Sequence, residues 1–308
     1  MTHTAILLMG PTASGKTDLA ISLCKRFPCD VISVDSALVY RGMDIGTAKP
    51  DPDTLARTPH RLIDIREPEE SYSAGEFVRD AYREMDEIFA AGRIPLLVGG
   101  TMMYFRALTE GIAALPSADE AIRRAIDAEA AERGWPAMHE ELEIVDPQAA
   151  QRIKPKDRQR IQRALEVYRS SGQPLSDWQR NSAPARNDIG YLKVGLNIEP
   201  RSLLHERIER RLDLMIAGGF VDEMKRLRER PGLVADCSAM RSVGYRQFWQ
   251  YLEGDYSLEE ARDRALFATR QLAKRQITWL RSETKVLLAD PLEAGSINAI
   301  SGFLAQSL

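Results

Sequence analysis

Cysteine and histidine are scarce in this 308-residue chain, with three of the first and four of the second. The cysteines (Cys24, Cys29, Cys237) are odd in number and none forms a Cys-x-x-Cys pair. A disulfide scaffold is thereby excluded and a reducing, cytoplasmic setting is expected. His3, His60, His139 and His205 have no ligand-like spacing to one another or to a cysteine, so no zinc site is expected. No apolar run approaches the ~18 residues of a membrane span. The longest runs resemble Ala5-Ile6-Leu7-Leu8-Met9. Met1-Thr2-His3-Thr4 has no basic n-region or cleavage-site pattern, so no targeting segment is expected and no membrane partner. Apolar residues at 44% and charged residues at 28% exclude disorder and collagen. The length suits one large domain or two modest ones, able to hold a core without metal or disulfide.

The net charge of −3 conceals segregation. Residues 119–146 carry nine acidic and three basic side chains, 151–181 eight basic and three acidic, and 262–285 seven basic and two acidic. Basic stretches in an acidic protein can attract a polyanion because phosphate contacts answer to the local field. Solvated helix faces would give the same pattern.

The first hundred residues alternate in the α/β manner. Strands are expected at 5–9, 31–34 and 94–98 and helices at 18–26 and 77–90, which reads as a parallel sheet covered on both faces. From 115 to 189 little reads as strand. This stretch is rich in Ala, Glu, Arg and Gln with Pro136, Pro147, Pro155 and Pro174 as punctuation, and it is expected to be a helical insertion between core segments 1–114 and 190–308. Tyr191–Ile198 alternates and returns to the sheet. Pro200 opens a helical region that Gly218-Gly219 bends or breaks, and a last long helix is expected at 258–281.

Gly10-Pro11-Thr12-Ala13-Ser14-Gly15-Lys16-Thr17 matches G-x-x-x-x-G-K-[ST] between an expected strand and helix. Its glycines let backbone N–H groups turn toward a phosphate, the helix N-terminus adds its dipole, Lys16 adds a point charge and the Thr17 hydroxyl can meet Mg²⁺. The motif marks a di- or triphosphate site without naming the reaction. No Asn-Lys-x-Asp run is present for guanine selection.

Asp35 ends the second strand, at the sheet edge that faces the ligand crevice. It can hold Mg²⁺ or accept a proton, or cap a turn with Ser36. Thr101 follows Gly99-Gly100 at the same edge, where it can orient Asp35, touch a leaving oxygen or cap a helix. Arg207, Arg210 and Arg211 could each reach the phosphates. Asp64 is a further strand-end acid or a structural ion-pair partner. Gln159, Arg160 and Arg163 fall within one helical turn and are residue types that pair with base edges and phosphates. Arg270, Lys274 and Arg281 share a face of the last helix. Arg241-Ser242-Val243-Gly244-Tyr245-Arg246 places a ring between arginines, a mixture suited to single-stranded RNA, although for Tyr245 and Trp279 taken singly core packing is a commoner role than base stacking.

Taken together the chain resembles the tRNA dimethylallyltransferases, also called tRNA isopentenyltransferases, over nearly its whole length. The likeness rests on Gly10–Thr17, on the long block Asp35–Pro50, on His60–Asp64, Tyr72–Phe77 and Gly99–Tyr104, on Asp157–Arg160 and Arg163–Val167, on Val243-Gly244-Tyr245, and on Arg270–Arg281. It implies a P-loop NTPase-like α/β fold, a parallel sheet core flanked by helices, with a helical insertion domain that contacts tRNA. It further implies transfer of the dimethylallyl group from dimethylallyl diphosphate to N6 of the adenosine just 3′ of the anticodon, in tRNAs reading codons that begin with U. Diphosphate leaves and no phosphoryl group moves. The partners implied are the tRNA anticodon stem-loop and dimethylallyl diphosphate, the cofactor is Mg²⁺, and a monomer is expected.

By the same resemblance Asp35 is the general base and Thr101 contacts the reacting adenine and the bridging oxygen. Gly10, Pro11, Thr12, Ala13, Ser14, Gly15, Lys16, Thr17 and Arg211 hold the diphosphate, with Mg²⁺ bound through the Thr17 hydroxyl. Segments expected to touch tRNA are Asp35, Ser36, Ala37 and Leu38; Thr101 and Arg123; Gln159, Arg160, Ile161, Gln162 and Arg163; Arg241, Ser242, Val243, Gly244, Tyr245 and Arg246; and Lys274, Arg275, Gln276, Ile277, Thr278, Trp279, Leu280 and Arg281. The adenine must be flipped from its stack to react. Some family members carry Gln where this chain has Leu38. The chain ends at Leu308 without Cys or His for a zinc finger, which fits the bacterial type. A P-loop kinase, a non-catalytic RNA binder and an enzyme prenylating free adenine nucleotides are the competing readings. The first two leave the basic helices or the paired Lys16 and Asp35 unexplained.

Overall fold

The computed structural model describes residues 3–113, 115–116, 118–181 and 185–308. These form two compact units. The first runs to Thr109 and resumes at Asn187, and the second is Glu110–Arg186. The expected boundary residue Ala114 lies outside the described residues.

The first unit is built on a parallel sheet of six strands among the described residues: β1 (His3–Met9), β2 (Cys29–Val34), β3 (His60–Arg61), β4 (Ile94–Gly99), β5 (Ile189–Leu196) and β6 (Val286–Ala289), in the order β3-β2-β4-β1-β5-β6. Ala5 to Met9 are wholly excluded from solvent, because a parallel strand in mid-sheet is covered on both faces. Ile6 and Leu8 point to one face and pack with Leu19, Ala20 and Leu23 of α1 (Lys16–Cys24) and with Ile300 and Leu304 of α14 (Ser296–Ser307). Leu7 and Met9 point to the other, larger cluster. That cluster takes residues from α3 (Ala74–Ala90), α4 (Met102–Glu110), α10 (Arg201–Ala217), α11 (Phe220–Arg228), α12 (Tyr245–Glu253) and α13 (Leu258–Ser282), and α2 (Pro52–Arg57) is a short surface helix with no buried residue.

Local chemistry sets the helix ends. α3 begins with a reciprocal capping box between Ser73 and Glu76, which satisfies two backbone donors, and it buries Phe77, Ala81, Met85 and Ile88 at helical spacing. Ser257 caps α13 by accepting from the Glu260 amide. Gly218-Gly219 divides the helix expected after Pro200 into α10 and α11, and Gly219 takes a left-handed φ of 97° that a side chain would resist. β5 begins two residues before the expected Tyr191 and ends at Leu196. The short strands β3 and β6 and the short helices α11, α12 and α14 are elements the sequence reading does not separate.

The second unit is helical: α5 (Glu120–Arg133), α6 (Trp135–Val145), α7 (Pro147–Arg152), α8 (Arg158–Ser171) and α9 (Leu175–Arg180). Ile126, Met138, Leu142, Ile161 and Leu165 form its core. Buried carboxylates fix its turns. Asp146 accepts from the amides of Ala149 and Ser176. Glu166, fully buried, accepts from the Asp119 amide, from Arg123 Nε at 3.0 Å and from Arg163 Nη1 at 2.9 Å. No helix of the described residues is long and apolar enough to cross a membrane.

Candidate active site

Met9, Gly99 and Val34 share one level of the sheet. The residues that follow them, Gly10, Gly100-Thr101 and Asp35, therefore emerge side by side at the C-terminal edge. β1 lies between β4 and β5, so its edge is a switch point of the topology, where a crevice opens. Gly99 is required because a Cβ there would overlap the Val34 carbonyl. The chain leaves β1 as the expected loop: Ala13 has a φ of 63° and Gly15 one of 82°, and Gly15 then caps α1 without a side chain. This turn aims the first amides of α1 into the crevice.

Lys16 Nζ folds back onto the loop and donates to the carbonyls of Gly10 (3.0 Å) and Pro11 (2.7 Å). Burial first, and repulsion from Arg211 second, lower its pKa to about 7 against the opposing pull of Asp35. Arg211 donates to Thr12 Oγ1 (3.4 Å) and to the Thr47 carbonyl (3.2 Å), and its own pKa is lowered by burial. Arg207, one turn earlier on α10, donates to the Ala13 carbonyl at 2.9 Å. Arg207 and Arg211 thus both reach the loop, while Arg210 lines the same cavity with an exposed side chain.

Asp35 Oδ1 accepts from the amides of Ala37 (2.8 Å) and Leu38 (3.3 Å), closing a turn and leaving Oδ2 without a protein donor among these bonds. The Ser36 amide donates to Thr101 Oγ1 (3.1 Å). Thr101 therefore braces the Asp35 turn rather than capping α4. Gln276 enters from α13. Its Oε1 accepts from the Thr12 amide and its Nε2 donates to the Gly100 carbonyl, both at 2.9 Å.

A second buried carboxylate shapes the opposite wall. Glu223 of α11, 2% exposed, accepts from the amides of Asp44 (2.9 Å), Ile45 (2.6 Å) and Gly46 (3.1 Å) and from the Tyr245 hydroxyl (2.6 Å). Gly46 is pressed against Phe220 and Tyr245, and a Cβ would overlap both rings. Lys49 pairs with Asp44 (2.6 Å) and Asp64 (2.5 Å), so Asp64 holds this segment as an ion-pair partner. Nothing in the spacing of Glu223 or Lys49 announces these roles.

The groups open onto one cavity of about 910 Å³, lined by the loop, Asp35–Leu38, Gly46–Ala48, Thr101, Arg211 and parts of α12 and α13. On its wall Ser14 Oγ, Ser33 Oγ and His60 Nε2 are buried atoms with no hydrogen-bond partner in the protein. Buried polar atoms of this kind call for ligand or water. With Thr17 also on the wall, the donors are mainly hard oxygens, which fits a Mg²⁺ held by few side chains, phosphate oxygens and water.

The residues expected to face tRNA divide. Arg241, Arg246, Lys274, Arg275, Thr278 and Arg281 are exposed, as are Gln159 and Arg160, while Ser242, Val243 and Trp279 are half-buried. Gln162 is half-buried, and Arg123 and Arg163 are engaged by Glu166. Ile161, Gly244, Tyr245, Gln276, Ile277 and Leu280 are turned into the fold. A helical segment presents one face only, so contiguous stretches such as 159–163 and 274–281 cannot all meet a partner. Tyr245 is a core residue bonded to Glu223, as its alternative reading allowed.

A Gly-rich strand–loop–helix cradle at the switch point of a parallel sheet makes the core a P-loop NTPase-like α/β protein. The IPP transferase family description matches residues 38–283. A tRNA dimethylallyltransferase from Alkalilimnicola ehrlichii is 58% identical over 92% of this chain and 90% of its own. Another, tRNA dimethylallyltransferase 2 of Hahella chejuensis, is 53% identical over 99% and 96%. Among solved structures, the tRNA isopentenylpyrophosphate transferase of Bacillus halodurans is similar at 37% identity and a TM-score of 0.72, covering 99% of this chain and 96% of its own. A eukaryotic dimethylallyltransferase acting on tRNA is similar at 25% identity and a TM-score of 0.78, covering 99% and 79%. The chain belongs to the IPP transferase family and is a prenyltransferase.

Proposed function

We propose that this chain transfers the dimethylallyl group from dimethylallyl diphosphate to N6 of the adenosine just 3′ of the anticodon in tRNA, releasing diphosphate. The observation that carries this reading is convergence: Lys16 of the loop and Arg207 and Arg211 of α10 line the same cavity as Asp35 and Thr101. Cations there suit a leaving diphosphate, and a carboxylate with one oxygen unclaimed by the turn suits a proton acceptor.

In the transfer, the N6–C1 bond forms as the C1–O bond of the donor breaks. The electron pair of that bond departs with the diphosphate, and the N6 proton passes to Asp35 Oδ2. The turn bonds to Oδ1 hold the carboxylate in orientation. Thr101 Oγ1 accepts from the Ser36 amide and its O–H makes only a long 3.5 Å contact to Ser36 Oγ, which it would exchange for the bridging oxygen. Lys16, Arg211 and the amides at the start of α1 stabilise the charge gathering on the diphosphate. Mg²⁺, held through Thr17, would supply further positive charge to the same group. An adenine stacked in an anticodon loop cannot enter such a cavity, so it is flipped out. Exposed Lys274, Arg275 and Arg281 on α13, with Arg241 and Arg246, supply cations for the RNA backbone. A cytoplasmic location follows from a tRNA substrate.

The test is a transfer assay with Mg²⁺, labelled dimethylallyl diphosphate and tRNA lacking the modification, run beside tubes holding AMP as acceptor or ATP as donor. Label at the adenine beside the anticodon is expected. Label on AMP alone identifies a free-nucleotide enzyme, and consumption of ATP without prenyl transfer identifies a kinase.

A further inference from the structure

We propose that Gln276 is a positioning residue that couples the diphosphate loop to the Asp35–Thr101 pair, rather than a contact for tRNA. The inference rests on the transfer reaction proposed above. Gln276 lies on α13 among residues whose exposed face carries Lys274, Arg275, Thr278 and Arg281, yet its side chain is 9% exposed and points the other way. The amide is used on both sides: Oε1 accepts from the Thr12 amide in the loop, and Nε2 donates to the carbonyl of Gly100.

Gly100 precedes Thr101, Thr101 Oγ1 takes the Ser36 amide, and Ser36 follows Asp35. A single planar amide therefore spans the gap between the donor cradle and the groups that meet the acceptor. Space at Gly100 is reserved for it, because a Cβ there would overlap Gln276 Nε2. The Thr12 amide also ceases to be one of the loop donors available to phosphate. Thr12 is held from its other side by Arg211, at 3.4 Å to the hydroxyl. Loop and base thus keep one separation, which is what an in-line exchange between a diphosphate carbon and a nitrogen requires.

Two variants test this. Gln276→Met keeps the length and loses both bonds. Gln276→Glu keeps the shape: as a carboxylate it accepts from Thr12 but sets a charged oxygen against the Gly100 carbonyl. Once protonated, its O–H donates to that carbonyl and the bridge returns. A carboxyl in this setting has a raised pKa. The charged groups around it (Lys16 on the loop, Asp35 after β2, Arg207 and Arg211 on α10, Lys274 and Arg275 on α13) are common to both proteins. Each rate is therefore divided by the wild-type rate at the same pH.

Steady-state kinetics with both substrates, filter binding of tRNA and thermal melts are measured from pH 5.5 to 8.5. Gln276→Met should lose kcat by about 10²-fold while tRNA affinity and KM for tRNA stay near wild type. The Gln276→Glu ratio should climb about tenfold or more as pH falls, one pKa unit being a factor of ten. The inference is overturned if Gln276→Met retains kcat and loses tRNA affinity, or if the Gln276→Glu ratio is flat with pH. Should Gln276→Met fail to fold, the Gln276→Glu ratio decides alone. Absence of prenyl transfer by the wild type would overturn the proposed function, whereas transfer by the wild type with a flat ratio would overturn only this coupling.

Discussion

Binding of a diphosphate should draw a proton from solvent onto Lys16. Burial and Arg211 hold its pKa at about 7 against an ordinary 10.5, and a neutral amine still has two N–H groups, enough for the carbonyls of Gly10 and Pro11. At pH 8 such a group carries about 0.1 proton. A diphosphate beside it favours the ammonium, so about 0.9 proton is taken up on binding, and about 0.5 at pH 7. The linked affinity falls about tenfold for each pH unit above 7, or about 1.4 kcal/mol per unit. The assay is calorimetric titration of a dimethylallyl diphosphate analogue in buffers of different ionisation enthalpy. The slope of heat against that enthalpy counts the protons. Lys16→Met supplies the baseline for protons released or taken up by the diphosphate itself. Equal uptake by wild type and Lys16→Met at pH 8 would refute the reasoning.

The same depressed pKa predicts a stability effect. Below pH 7 the folded protein must bury an ammonium, and the cost is relieved as pH rises from 7 toward 10.5, so Lys16→Met should raise the melting temperature most at pH 6 and least near pH 10. Asp35→Asn keeps an oxygen for the amides of Ala37 and Leu38 but loses the base; single-turnover transfer should slow by about 10²–10⁴, with tRNA binding unchanged by filter assay. Gly46→Ala forces a methyl onto the Phe220 ring and to 2.7 Å from Tyr245 Cζ; denaturant titration should show a loss of about 1–3 kcal/mol. Glu166→Ala removes the buried acceptor of the Asp119 amide, Arg123 and Arg163; the partly exposed guanidiniums can hydrate, so the loss should be about 1–3 kcal/mol, read as earlier loss of amide protection of the helical unit in hydrogen exchange.

The P-loop was legible because its chemistry is local. Eight consecutive residues between an apolar run and an amphipathic helix need no distant partner to define a phosphate turn. The placement of Asp35 and Thr101 was legible for a related reason: each follows the end of a strand, and strand ends in a parallel sheet share an edge. The helical character of 120–180 followed from composition and proline placement. Gln276 belongs to a stretch expected to face tRNA, but helical spacing turns its side chain to the inner face of α13, a direction that membership of the stretch does not specify. The roles of Glu223 and Lys49 could not be read from the sequence because their partners are backbone amides, a carbonyl or carboxylates that no local motif ties to them.

Sequence alone therefore determined the apolar strands, the glycines at the loop and the types of group that could hold a diphosphate or take a proton. Those depend on residue identity and short-range sterics. Tertiary structure decided which groups meet: Lys16 and Arg211 sharing one desolvated site, Glu223 fastening the Asp44–Gly46 segment, and Gln276 reaching Thr12 across 264 positions of chain and Gly100 across 176. Hydrogen bonds and charge coupling act over a few ångströms, and only the completed packing of α10, α11 and α13 on the sheet brings these groups within that range.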